Sequence, residues 1–131
     1  MVSIDNSDYA EKAIDVAIDL ASKYNSKIAA VHVLDENSAF TYDDLDDSGD
    51  NLLSQIVEKA KKLDIEVVEH LIMGDALRDM ETIIKKTKAD LVIMPAWGYH
   101  TQLRHIDTKN FIGSVSERAL KVSEVPVMII K

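Results

Sequence analysis

The sequence predicts an α/β fold: a doubly wound five-stranded parallel sheet with helices on both faces. Two observations carry that expectation. Short apolar runs alternate strictly with segments whose apolar residues recur at three- and four-residue intervals, the order a parallel sheet with crossover helices requires. Runs such as KIAAVHVL, LVIM and VPVMII are also nearly continuous, as strands covered on both faces should be. Right-handed crossovers then leave a doubly wound arrangement as the simplest topology.

The elements follow in order. Met1 to Asp5 reads as the end of a strand whose earlier residues are absent. From Ser7 onward Ala10, Ala13, Ile14, Ala17, Ile18, Ala21 and Tyr24 share one face of a helix. Asn6, Ser7 or Asp8 is placed to cap its first turn, and Asn25-Ser26 ends it. Lys27 to Leu34 is the second strand. A second helix places Leu52, Leu53, Ile56, Val57, Ala60 and Leu63 on one side. Ile65 to Met73 is the third strand, closed by Gly74. Asp75 caps a third helix running to about Thr87, with Leu77, Met80, Ile83 and Ile84 inward. Leu91 to Met94 is the fourth strand, stopped by Pro95. A long polar loop leads to Gly113-Ser114 and a fourth helix, and Val125 to Ile130 is the final strand. No internal repeat or linker interrupts residues 1–131, which read as one domain.

Composition narrows the function classes. The 131 residues are 47% hydrophobic and 29% charged, the balance of a water-soluble globular chain. No apolar run approaches the ~20 residues of a membrane span. The start, MVSIDNSDYA, has neither a basic region nor an apolar core, so a cytoplasmic protein is expected rather than a secreted one. A net charge of -8 argues against a nucleic-acid partner, because such binding rests on Lys and Arg neutralising phosphates. Much of that charge sits between Asp35 and Asp50, where Asp35, Glu36, Asp43, Asp44, Asp46, Asp47 and Asp50 occur without Lys or Arg. Asp44 to Gly49 looks like the start of a calcium-binding EF-hand loop. Gln55 stands at its twelfth position in place of the bidentate Glu, and a strand precedes it, so a solvated acidic loop is the better reading. There are no cysteines, and His32, His70, His100 and His105 share no helix face at ligand spacing, so no zinc site is expected.

The stretch from Ala89 to Arg118 carries the chemistry. A strand, a glycine-bearing loop and a helix opening on Gly113-Ser114 form a cradle for an anion, since first-turn N–H groups point outward and the helix dipole favours negative charge. In a doubly wound sheet, ligands bind beyond the carboxyl ends of the strands where strand order reverses. Asp5 and Met94-Pro95 are expected to flank that crevice. For Gly113-Ser114 the competing reading is simple capping, and for Asp5 a strand end or cap. Trp97 either packs the loop or stacks on a base, with packing favoured.

Several ordered stretches resemble the universal stress proteins. They are Ile4-Asp5-Asn6-Ser7 with the helix after it, His32-Val33-Leu34-Asp35, Gly74-Asp75, Ala89-Asp90-Leu91, Gly113-Ser114-Val115-Ser116-Glu117-Arg118 and Val125-Pro126-Val127. The resemblance spans essentially the whole chain. It implies an adenine nucleotide alpha hydrolase-like fold, an adenine nucleotide such as ATP (with Mg²⁺) as ligand, and a homodimer through the strand Val125 to Ile130. It also implies site residues: Ser3 and Asp5 by the ribose and adenine, Val33 at the adenine edge, Met94 beside the ribose, and Gly98, Gly113, Ser114 and Val115 around the phosphates. Nucleotide-binding members carry Gly-x2-Gly-x9-Gly-Ser/Thr after the fourth strand. Here Pro95 replaces the first glycine, and fourteen residues separate Gly98 from Gly113. The longer loop either reaches over the phosphates with His100, Arg104, His105 or Lys109 or fills the site.

A second reading therefore keeps the family and closes the site, leaving a dimeric interaction module. A third is an enzyme, a slow ATPase or a receiver-like phosphoacceptor. The sequence supplies no Walker-type Lys after a glycine loop and no acid beside Asp5, so no catalytic residue is assigned.

Overall fold

The computed structural model describes residues 1–35, 53–104 and 107–131. Its elements are β1 (Val2–Ile4), α1 (Asp8–Tyr24), β2 (Ile28–Asp35), α2 (residues 53–61), β3 (Val67–Gly74), α3 (Ala76–Thr87), β4 (Val92–Pro95), α4 (Tyr99–Leu103), α5 (Ser114–Val122) and β5 (Val127–Ile130). All four strand pairings are parallel, in the order β3-β2-β1-β4-β5. The chain winds outward from β1 to β3, then crosses to β4 on the other side of β1. The reversal falls between β1 and β4, as the sequence predicts.

Period-two alternation divides the core into two layers. Val2, Ile4, Ile28, Ala30 and Ile93 pack against α1 and against Leu53, Ile56 and Ala60 of α2. Val92 and Met94 face the opposite side, against Met80 and Ile84 of α3 and Ala119 of α5. Helices thus cover both faces.

Helix α1 shows how local sequence fixes an element. Ser7 has extended backbone angles and its side chain accepts the Ala10 N–H, while Asn25 closes the helix in the left-handed region at φ 50°. Asp8 and Glu11 in the first turn and Lys23 in the last complement the helix dipole. Six of the seven expected apolar positions are buried; Ile14 and Ile18 contribute about 1.5–3 kcal/mol each by leaving water. Tyr24 is the exception at 75% exposure. It is the last residue of α1, at the amino ends of the strands, where the helix has passed the sheet it covers.

Other boundaries differ from the sequence reading. Leu63 lies beyond α2 in a turn and is exposed. Leu77 is exposed in the first turn of α3, whereas Met80, Ile83 and Ile84 are buried as expected. Strand β3 begins at Val67, and as an edge strand it leaves Val68, Leu71 and Met73 partly exposed. Pro95 does not stop β4 but is its last residue, paired with Ile130. The ladder to β5 runs through Ala96, whose N–H donates to the Ile130 carbonyl at 2.7 Å, so the N–H that proline lacks is not needed there. The acidic segment after Asp35, with its EF-hand-like stretch, lies outside the described residues apart from Asp35 itself, as do Leu52, His105 and Ile106. No helix among the described residues is long and apolar enough to cross a membrane.

Candidate functional site

A cavity of about 410 Å³ opens at the carboxyl ends of the strands, within the size range of small-molecule sites. Strand β1 supplies Ser3, Ile4 and Asp5, and β2 supplies Val33 and Asp35. The turn from β3 into α3 supplies Gly74, Asp75, Ala76 and Leu77. Met94, Pro95 and Gly98 come from β4 and the loop after it, and Tyr99, His100 and Thr101 from α4. Gly113 to Ser116 complete the wall at the start of α5. All eight residues singled out in the sequence, Ser3, Asp5, Val33, Met94, Gly98, Gly113, Ser114 and Val115, line this one space.

The anion cradle is built on β4. Gly113 precedes α5 with no side-chain cap, and its N–H donates to the Ala96 carbonyl at 2.8 Å. The buried Ser116 hydroxyl donates to the Pro95 carbonyl at 2.7 Å. A Cβ on Gly113 would lie 3.3 Å from the Ala96 oxygen and 3.6 Å from Trp97 Cα, so glycine allows this close approach. The first helical hydrogen bond runs from the Glu117 N–H to the Gly113 carbonyl at 2.9 Å. The N–H groups of Ser114, Val115 and Ser116 find no acceptor among the described residues, the condition under which a helix start attracts an anion.

Asp5, besides lining the cavity, joins elements of the fold. Its Oδ1 accepts from the Ser7 N–H at 3.1 Å and from the Ser7 hydroxyl, and its Oδ2 accepts from the Tyr99 N–H at 2.9 Å. Asp5 therefore ties β1 to the start of α4. Gln102 returns the contact, its Oε1 accepting from the Asp8 N–H at 2.8 Å. The Tyr9 and Trp97 rings meet edge-on at 5.3 Å, and Trp97 Nε1 donates to the Phe111 carbonyl at 2.8 Å. The favoured packing role of Trp97 is the one seen.

The long loop expected after Gly98 begins as helix α4, clasped to the start of α1. It brings His100 and Thr101 to the cavity wall, whereas Arg104 and Lys109 do not line it. Among the described residues the insertion leaves the crevice open.

Sequence reasoning missed Asp35, Leu77 and Thr101 as cavity residues and read Asp75 only as a cap. Asp75 does cap α3, accepting from the Leu77 and Arg78 N–H groups at 2.8 and 3.0 Å, but it also faces the cavity. The rule that placed Asp5 beside the crevice, applied to the ends of β2 and β3, would have found Asp35 and the Gly74–Leu77 turn. His32 is buried and donates from Nδ1 to the Ile4 carbonyl at 2.9 Å, a structural role. No group of His, Asp or Glu among the described residues is arranged to hold a metal ion.

Comparison with known proteins decides the family. The model of the universal stress protein family matches residues 1–131. The chain belongs to the universal stress protein family. A universal stress protein of Methanocaldococcus jannaschii is 26% identical over 141 residues, covering all of this chain and 80% of that relative. Among solved structures, UspA from Lactobacillus plantarum superposes with a TM-score of 0.78 at 17% identity, covering 99% of this chain and 96% of that one. The family member from Archaeoglobus fulgidus in complex with dAMP gives 0.73 at 22% identity, covering 99% and 94%. At these identities the structural matches establish the fold.

Proposed function

We propose that this universal stress protein is a cytoplasmic adenine-nucleotide-binding module, with ATP among the candidate ligands. The carrying observation is the cavity of about 410 Å³ that ends on the first-turn N–H groups of α5. A phosphate would sit at Ser114 and Val115, receiving backbone N–H groups and the Ser114 hydroxyl. Val33, Met94 and the exposed Leu77 offer apolar surface for a base. The dAMP complex of the Archaeoglobus fulgidus relative supports adenine as that base. Magnesium would enter as the counter-ion of a polyphosphate. No residue is assigned a catalytic role, and the effect of the nucleotide is to bias how the protein meets its partners. The crevice, open among the described residues, favours this reading over a site closed by the insertion.

Isothermal titration of the full chain with AMP and with ATP tests it. Heat saturating in the micromolar range is expected, and silence with both at high micromolar concentration would sink the reading. Ser114→Glu is the matching variant. A carboxylate suits a helix start and so preserves folding, but it fills the anion position and should abolish binding.

We also infer that the protein forms a homodimer through β5. This strand is at the sheet edge, and its outer backbone groups invite pairing with a second chain.

A further inference from the structure

The charge around the crevice is uneven. One side offers the N–H groups of α5. The rest of the rim carries three carboxylates, Asp5, Asp35 and Asp75, at or just beyond the ends of β1, β2 and β3. No Lys or Arg is found among the described residues lining the cavity, and His100 is the one side chain there able to become cationic. Beyond the Asp75 turn, Arg78 Nε pairs with Asp79 at 3.0 Å, and Arg104 and Lys109 do not line the cavity. Nor does the sequence from Glu36 to Leu52 contain a Lys or Arg to add.

Sites that hold a triphosphate set a lysine, an arginine or a held metal against the outer phosphates. This crevice provides for one phosphate and then turns acidic. We propose, resting on the nucleotide reading above, that it is a single-phosphate site, preferring AMP to both adenosine and metal-free ATP. The first phosphate gains the α5 N–H groups, which adenosine leaves empty. Each additional phosphate brings negative charge toward Asp5, Asp35 and Asp75, and no Lys or Arg among the described lining residues is there to receive it. Two extra charges facing the rim carboxylates through water, partly screened at low salt, amount to roughly a ten-fold loss of affinity.

The test is calorimetric titration of the full chain with adenosine, AMP, ADP and ATP in low-salt buffer containing EDTA. AMP should bind tightest, ADP should be intermediate, and ATP should be weaker than AMP by about ten-fold. Raising salt to about 0.5 M should bring AMP and ATP within about two-fold of each other. Saturating Mg²⁺, which lowers the charge of ATP, should narrow the gap in the same direction. Asp75→Asn keeps a capping oxygen on α3 and removes one of the three charges, so it should narrow the low-salt gap by about two-fold. ATP binding as tightly as AMP at low salt overturns the proposal while leaving nucleotide binding intact. A preference for AMP unmoved by salt, Mg²⁺ and Asp75→Asn also overturns it, because shape would then set the order. If none of the four binds, the nucleotide reading itself has failed.

Discussion

Gly98→Ala tests the joint between β1 and α4. Gly98 precedes α4 with φ -109° and ψ -175°, angles that any residue adopts, so the backbone adds no penalty. The obstacle is a side chain: a Cβ built on Gly98 falls 2.7 Å from Asp5 Oδ2, the oxygen that accepts the Tyr99 N–H. That carboxylate has little freedom to swing, because its other oxygen is held by the backbone and hydroxyl of Ser7. Relief of the contact requires it to leave Tyr99, costing about 1.5–3 kcal/mol for a hydrogen bond to a charged group. The contact is exposed to solvent, which favours the lower figure. Alanine recovers about 0.4–1 kcal/mol by restricting the unfolded chain. The net loss is about 1 kcal/mol, or roughly 3–4 °C in melting temperature for a chain of this length.

The same substitution should reverse sign when Asp5 is already gone. Asp5→Ala alone costs about 2–3 kcal/mol, since it also strips the buried Ser7 hydroxyl of its acceptor. In that background the alanine at position 98 meets no oxygen and only the entropic gain of about 0.4–1 kcal/mol survives. Urea unfolding of the four proteins of the cycle, with a common m-value, measures the coupling directly. Equal destabilisation by Gly98→Ala in both backgrounds would refute the claim that the carboxylate is the obstacle.

Two further outcomes follow from the surface. Met128→Lys with Ile130→Lys places two cations on the edge strand β5, and light scattering should report half the mass of the parent; an unchanged mass contradicts a β5 interface. Asp79 is held below the ordinary carboxylate range chiefly by its hydrogen bond from Arg78, with help from the Asp75 N–H, and Glu81 chiefly by Lys85. Their folded values lie below the unfolded ones, so their stabilising contribution is present above the unfolded range and is lost as pH falls through the folded values. Arg78→Met with Lys85→Met should make acid unfolding depend less steeply on pH below that range, and an identical slope would remove these pairs as its source.

Much of this fold was legible because two periods set it. The three- and four-residue spacing of Ala10 to Ala21 could form only an amphipathic helix, and the apolar runs around Val31 and Ile93 suited strands buried on both faces. Period says which face of an element is apolar, but not where the element outruns its support. Tyr24 and Leu77 obey the helical spacing and still end exposed, one past the amino ends of the strands and the other over the crevice. Helix α4 was illegible for another reason. Its five residues are too few to show a period, and its start is held by Asp5, 94 positions away in sequence.

The departures from the family's glycine pattern fall into place once the supports of the site are separated. Proline at position 95 removes an N–H, yet its carbonyl receives the Ser116 hydroxyl and the next carbonyl receives the Gly113 N–H. The start of α5 is thus docked on the end of β4 by two bonds that need no glycine at position 95. The lengthened segment between Gly98 and Gly113 is clasped instead to β1 and α1 at its start, through Asp5 and Gln102. Cradle and insertion therefore rest on different parts of the fold. Extra residues can be accommodated after α4 while the N–H groups of Ser114 and Val115 keep their position beyond the sheet. What the insertion contributes to the cavity is His100 and Thr101, which line it together with Asp35 and Asp75.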